Sequence, residues 1–329
     1  MKSLLPFEGL KRDVLVKHDA VTDDAFGCVP EKRPAETLVS YGIVNLNKPR
    51  GPTSHMVSEY VQKIFGIDKA GHSGTLDPGV TGVLPVALGR GTRIVQALLN
   101  AGKEYVCCMH VHKLVDADVL KKTLLSFVGR ITQLPPVRSA VVRQFRERDV
   151  YYLDVLEIDG QNVLFRIGCQ AGTYIRKLCH DVGRKLNCGA HMVELVRTKA
   201  GPFFFDSVVT LQDIEDAFWY WKHENNDKFL RHCIYPVENG VEHLPKVWVF
   251  DSAVDSLCHG AILHVPGIVK LTSDVVPDCL VAVMTLKDEL IALGSAKKTA
   301  VDLMKIDNGV AVVTNKVFML PDTYKKTTN

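Results

Sequence analysis

The chain is expected to be an α+β protein, with a mixed, mainly antiparallel sheet in a large domain and a small β-rich domain after it. Three observations predict this. Strand-like and helix-like runs interleave along the first two thirds, with hairpin signals between strands. Around Leu244-Pro245 the texture changes to short strands separated by turn residues. And 329 residues, 47% of them hydrophobic, can bury one large core and a second, smaller one.

The elements follow in order. Residues 1–36 are mixed in character, with a short apolar run at Val14-Leu15-Val16, and are expected to be an extension that packs on another part of the protein. Tyr41 to Asn47 has strand character. Thr53 or Ser54 can cap a helix carrying Met56, Val57, Tyr60, Val61 and Ile64 at helical spacing and stopping at Gly66. Glu104 to His112 is a strand with Tyr105, Cys107, Met109 and Val111 on one face. Leu153–Ile158 and Val163–Cys169 flank Asp159-Gly160, a hairpin signal. Thr173 can cap a helix with the stripe Ile175, Leu178, Val182 and Leu186. Thr210, with Asp213 three residues on, marks another helix start. Beyond the boundary, Val247–Phe250, Ala261–Val265, Leu280–Met284 and Val310–Val313 are short strands.

Composition narrows the class. Lys+Arg is 40 and Asp+Glu 37, a net charge of +3, too mild to announce a nucleic acid. The basic residues cluster, however. Arg138, Arg143, Arg146 and Arg148 are opposed locally only by Glu147. Alone this is a solvated face; with a nucleic-acid partner it becomes a phosphate contact. Nine scattered cysteines without a CxxC pattern fit free thiols in a reducing compartment. No stretch approaches the ~18 apolar residues of a membrane span, and no signal-peptide pattern is present. A cytoplasmic protein without a metal site is expected.

The most informative segment is Gly-His-Ser-Gly-Thr-Leu-Asp-Pro-Gly-Val-Thr-Gly at 71–82. Its glycines imply tight or positive-φ backbone, and Pro78 restrains Asp77 just before it. A single carboxylate is held on a constrained loop.

GHSGTLDPGVTG resembles the catalytic loop of the TruB-type pseudouridine synthases, and more closely their dyskerin-like archaeal and eukaryotic H/ACA branch, here of archaeal type. YGIVNLNKPRGPTSH (41–55), GKEYV (102–106), AGTYIRKL (171–178), GAHMVEL (189–195) and RTKAGPF (197–203) follow in that family's order. The resemblance runs from about residue 37 to the end. CHGAILHVPGI (258–268) and MTLKDELIALG (284–294) resemble a PUA RNA-binding domain. It implies an extension at 1–36 packed beside the PUA domain, a synthase domain at 37–244 and a PUA domain at 245–329.

The resemblance also implies roles. Asp77 is the catalytic carboxylate, which either attacks the substrate or takes a ribose proton to give a glycal. Arg176 pairs with it, and a guanidinium can do so bidentately. Tyr105 lies against the flipped uracil, and its hydroxyl assists removal of the C5 proton. Leu195 walls the pocket, and Lys48 steadies the catalytic loop or a phosphate. His72 contacts the RNA backbone or supports the base, while Tyr174 buttresses the pocket. His259, Gly260, Ala261, Pro266 and Gly267 would form the PUA surface for the guide RNA. No cofactor or metal is implied.

Two segments inserted in the bacterial enzymes are missing, because Lys113–Ala117 and Pro135–Tyr151 are short. Substrate grip must then come from elsewhere. The implied partners are an H/ACA guide RNA, target rRNA or tRNA, a kink-turn-binding ribosomal-type protein and two small accessory proteins. The alternative activity is guide-independent modification of the tRNA T-loop. A third reading, from another class, is a non-catalytic RNA-binding scaffold that keeps only the architecture.

Overall fold

The computed structural model describes residues 3–135 and 142–324. Two sheets organise it. The larger follows the spatial order Ile234–Pro236, Gly42–Lys48, Thr81–Leu88, Ala190–Ala200, Lys103–Val111, Asn162–Cys169, Arg146–Asp159 and Gly129–Gln133. Ala70–His72 adds beside Thr81–Leu88, and Phe203–Phe204 beside Ala190–Ala200. Its neighbours are antiparallel except where Thr81–Gly82 runs parallel to Val196–Arg197. That junction matters, because the Asp77 loop feeds directly into it.

The smaller sheet has seven strands and likewise one parallel pair, Lys246–Val249 with Leu280–Met284. The mixed, mainly antiparallel α+β expectation holds for both sheets. Val14–Val16 joins the edge of the smaller sheet, pairing antiparallel with Ile268–Thr272. The sheets share an apolar seam in which Tyr41, Ile43, Ile94 and Leu98 meet Trp248, Met284, Leu293 and Phe318.

Local signals were mostly obeyed. Thr53 caps Ser54–Phe65 by accepting from the Met56 amide at 3.2 Å, and Gly66 ends that helix at φ 61°. Thr210 and Asp213 form the capping box of Leu211–Glu224. The hairpin at Asp159-Gly160 is present, with Gly160 at φ 57°. Two expectations need correction. Thr173 does not cap the next helix. Its hydroxyl turns back to the Gln170 carbonyl (2.7 Å), and Ile175–Lys185 starts after an uncapped Tyr174. The strand expected over Ala261–Val265 is only Leu263–His264, because Val265–Gly267 winds into a short 3-10 turn at Pro266.

Candidate active site

The catalytic-loop segment is braced from behind. Lys48, at the end of its strand, has no exposed surface. Its Nζ donates to the carbonyls of Pro49 (2.8 Å), Pro78 (3.3 Å) and Val80 (3.0 Å). The ammonium is spent on the loop backbone. Burial lowers its pKa, opposed by the nearby Asp77 charge. The Gly51 amide also donates to Pro78 O (2.9 Å), and the Val80 amide to Asp77 O (2.9 Å). Ser54, at the first turn of its helix, both accepts from the Leu76 amide (2.8 Å) and donates to the Leu76 carbonyl (3.2 Å). The backbone on either side of Asp77 is thus fixed by side chains from the preceding strand and helix.

Arg176 lies one residue into the Ile175–Lys185 helix, at the edge of the stripe buried by Ile175, Leu178, Cys179 and Val182. Its guanidinium meets the Asp77 carboxylate through Nη2 and Oδ2, joining residues 99 positions apart. One nitrogen makes the contact, so the pair is not the two-pronged fork the guanidinium allows. Both side chains are about half exposed, 52% and 51%, so the carboxylate opens to solvent on one side.

Behind them is a residue to which the sequence reading gave no role. Arg197 is 1% exposed. It donates from Nε to Val83 O (2.7 Å) and from Nη2 to Gly74 O (3.2 Å). Its guanidinium sits against the Tyr105 hydroxyl, and the two residues are paired across adjacent strands. Burial lowers the Arg197 pKa, and the Tyr105 contact works against that fall. Burial raises the Tyr105 pKa, and Arg197 opposes that rise. Tyr105 therefore stands as a neutral phenol at neutral pH. The close approach of Arg197 to the loop requires Gly82, at φ 104°. A Cβ there would lie 2.2 Å from the Arg197 carbonyl oxygen.

The apolar wall comprises Leu195, Leu76, Val80 and Ile175, all packed in one cluster with Tyr105. Tyr174 is half-buried, and its backbone is clamped at both ends by the amide of Gln133: Nε2 donates to Tyr174 O (3.1 Å) and Oε1 accepts from Tyr174 N (2.9 Å). Gln133, 3% exposed, was also not foreseen. His72 lies on the Ala70–His72 strand, half-buried. Burial, with Arg197 and His55 adding to it, holds its pKa below the usual imidazole value. Its Nδ1 is buried and has no hydrogen-bond partner among the described residues.

The arginine cluster divides. Arg138 lies outside the described residues. Arg143 is exposed, while Arg146 and Arg148 are half-buried at the start of Arg146–Asp159. Arg146 pairs in register with Gln133, and Arg148 packs over Gly172, just before Tyr174. The cluster therefore borders the arginine helix. His259, Gly260, Ala261, Pro266 and Gly267 are distant from Asp77 in the chain and belong to the smaller sheet's surroundings. His259, Gly260, Ala261 and Pro266 are exposed. Gly260 is at φ 86° with open space where a side chain would be, but a Cβ on Gly267 would press on Leu263 at 3.0 Å. Gly267 is small for packing. Among the described residues no helix is long and apolar enough to cross a membrane.

Four family profiles match the chain end to end. "TruB family pseudouridylate synthase (N terminal domain)" covers residues 62–175 and "tRNA pseudouridylate synthase B C-terminal domain" 176–242. "DKCLD (NUC011) domain" covers 5–58 and "PUA domain" 245–318. The third reaches into the N-terminal segment, where the resemblance in the sequence had not extended. A protein of Methanopyrus kandleri named "Probable tRNA pseudouridine synthase B" is 52% identical over 322 residues, 98% of this chain and 95% of that one. One of the same name from Thermococcus kodakarensis is 53% identical over 99% of this chain and 97% of its own. Among solved structures, "Crystal Structure of a Cbf5-Nop10-Gar1 Complex" superposes with TM-score 0.93 at 52% identity, covering 98% of each chain. "Structure of H/ACA RNP bound to a substrate RNA containing 2'-deoxyuridine" gives 0.92 at 50% identity, covering 98% of this chain and 99% of that one.

Proposed function

Because this chain belongs to the dyskerin-like branch of the TruB family, and is therefore an RNA pseudouridine synthase, we propose that it is the catalytic subunit of an H/ACA guide ribonucleoprotein acting on rRNA. The observation that carries the assignment of the centre is the Asp77–Arg176 contact, made across 99 residues and set against Tyr105 and Leu195. The chain divides into an extension (1–36), a synthase domain (37–244) and a PUA domain (245–329).

The reaction is an isomerisation. The uridine N1–C1′ bond breaks, the base turns, C5 bonds to C1′, and the C5 proton is lost as N1 regains one. A stacked nucleotide exposes neither atom, so it is flipped out at a cost of a few kcal/mol. Arg176 holds Asp77 aimed at the ribose, where the carboxylate attacks C1′ or takes the ribose proton. Tyr105, a neutral phenol backed by Arg197, packs on the ring and helps pass the C5 proton. Leu195 and Leu76 exclude water. His72 contacts the RNA backbone or supports the flipped base.

The guide RNA and the protein partners are supported by the half-identical solved structures, one an H/ACA RNP bound to a substrate RNA and one a Cbf5-Nop10-Gar1 complex. A kink-turn-binding protein completes the assembly. The second reading, a synthase for tRNA without a guide, is favoured by the names of the curated relatives. The test is to incubate the protein with T-loop tRNA alone, and with an rRNA fragment plus guide RNA and accessory proteins, scoring pseudouridine with Asp77→Ala in parallel. Product in the guided reaction only, lost in the variant, supports the assignment. Product on bare tRNA alone replaces it with the second reading. RNA binding without product in either reaction refutes both.

A further inference from the structure

At the far end of the Thr81–Leu88 strand from the Asp77 loop, a depression of about 550 Å³ is lined by Lys69, Arg90 and Arg93, with Asp68, Gly89 and Thr92 between them. The Proposed function has no use for it. Three cations face one carboxylate, and among the described residues no ion pair joins Lys69, Arg90 or Arg93 to an acid. The arginines are not free surface charges. Arg90 Nη2 donates to Phe318 O (2.9 Å) and its guanidinium lies 5.0 Å over the Tyr41 ring. Arg93 Nη1 donates to Val317 O (2.8 Å). Each is pinned by one nitrogen, and both residues are exposed. The floor is rigid too: the Gly89 amide donates to Lys69 O (2.8 Å), and Gly89 at φ 47° approaches Ser40 too closely for any side chain.

We propose that Lys69, Arg90 and Arg93 form a phosphate-binding pocket for the RNA backbone, linking the RNA surface of the smaller domain to the synthase body. Fixed guanidinium forks suit phosphodiester oxygens, and their ordering cost is already met by the fold. The position favours RNA over an acidic protein tail. Val317 and Phe318 lie three and four residues beyond Thr314, whose hydroxyl donates to the Ala261 carbonyl (2.6 Å), so a backbone crossing Ala261 meets the exposed Lys316 and then Arg93.

This rests on the RNA-guided reading, and its test separates the two. Guide-RNA affinity is measured against salt for the wild type, Lys69→Ala, Arg93→Ala and the double variant. Lys69 makes no side-chain hydrogen bond or ion pair among the described residues, so its variant folds normally whatever Arg93→Ala does to the seam. We expect each single variant to weaken binding roughly 3- to 10-fold and to reduce the slope of log K against log salt by about one. Lys69→Arg should restore both. Unchanged affinity and slope in Lys69→Ala and in the double variant, with wild-type guide binding intact, overturn the pocket alone. The same holds if only accessory-protein binding falls. A wild type that binds no guide RNA overturns the function as well.

Discussion

Lys48 is expected to be the residue on which the catalytic loop depends most, and Lys48→Met tests it with little change of volume. The substitution removes a buried ammonium that donates to three carbonyls, two of them, Pro78 and Val80, just after Asp77. Hydrogen bonds from a charged donor contribute roughly 1.5–3 kcal/mol each, and the 3.3 Å contact is the weakest, which sets a ceiling near about 6 kcal/mol. The desolvation that lowers the Lys48 pKa is relieved at the same time and offsets part of that loss. A net destabilisation of about 2–4 kcal/mol is expected in urea unfolding. Activity should fall further, about 100-fold in single-turnover guided reactions, since displacement of a reacting group by ~1 Å has that scale. Hydrogen exchange gives the local readout. The Gly51 and Val80 amides, bonded to Pro78 and Asp77, should exchange at least about tenfold faster, while amides in the middle of Thr81–Leu88 change only with global stability. If Lys48→Met keeps wild-type stability, turnover and Val80 protection, the lysine does not hold the loop and the bracing argument is wrong.

Three further outcomes follow from the same geometry. Arg176→Ala should reduce guided turnover about 10²- to 10³-fold while RNA affinity stays within a few-fold, with Arg176→Lys intermediate; equal losses in turnover and affinity would make Arg176 a phosphate contact instead. Gly82→Ala should cost about 2–4 kcal/mol in chemical denaturation, since it combines a positive φ with a 2.2 Å approach to Arg197 O, and near-neutral stability would contradict that packing. His243, 9% exposed, has its pKa pushed down to about 4 by burial. Its unfolded value is about 6.5, so between these pH values the unfolded chain binds a proton that the folded chain does not. Stability is therefore full above pH ~6.5 and falls, by up to about 3 kcal/mol, as pH drops towards 4. His243→Leu should flatten that part of the profile, and an unchanged slope would assign the acid sensitivity elsewhere.

What the sequence made legible was what local pattern encodes. Thr53, Gly66 and Thr210 acted as written because caps depend on neighbours within one turn. Asp77 and Arg176 were legible through motifs, and the structure brings them together. Thr173 failed because its hydroxyl had a competing acceptor three residues back, at Gln170, and took it. Gln133 carried no local signal: its partner, Tyr174, lies 41 residues away, and only the pairing of Gly129–Gln133 with Arg146–Asp159 fixes its position.

Arg197 is the instructive miss, because one available signal pointed to it. Alternation along Ala190–Ala200 puts Arg197 on the same face as Leu195, which is buried, so a period-two reading already turned a guanidinium into the core. A buried charge must find donors' partners nearby, and here they are the Val83 and Gly74 carbonyls, brought within reach by the parallel pairing of Thr81–Gly82 with Val196–Arg197. No spacing in the sequence specifies that non-local junction. Once it forms, a single side chain ties the Asp77 loop, the Tyr105 strand and the strand bearing Leu195 into one unit. The Asp77 and Arg176 segments can be read from motifs, then, but the residue that holds their strands in register is visible only as a charge in an apolar phase.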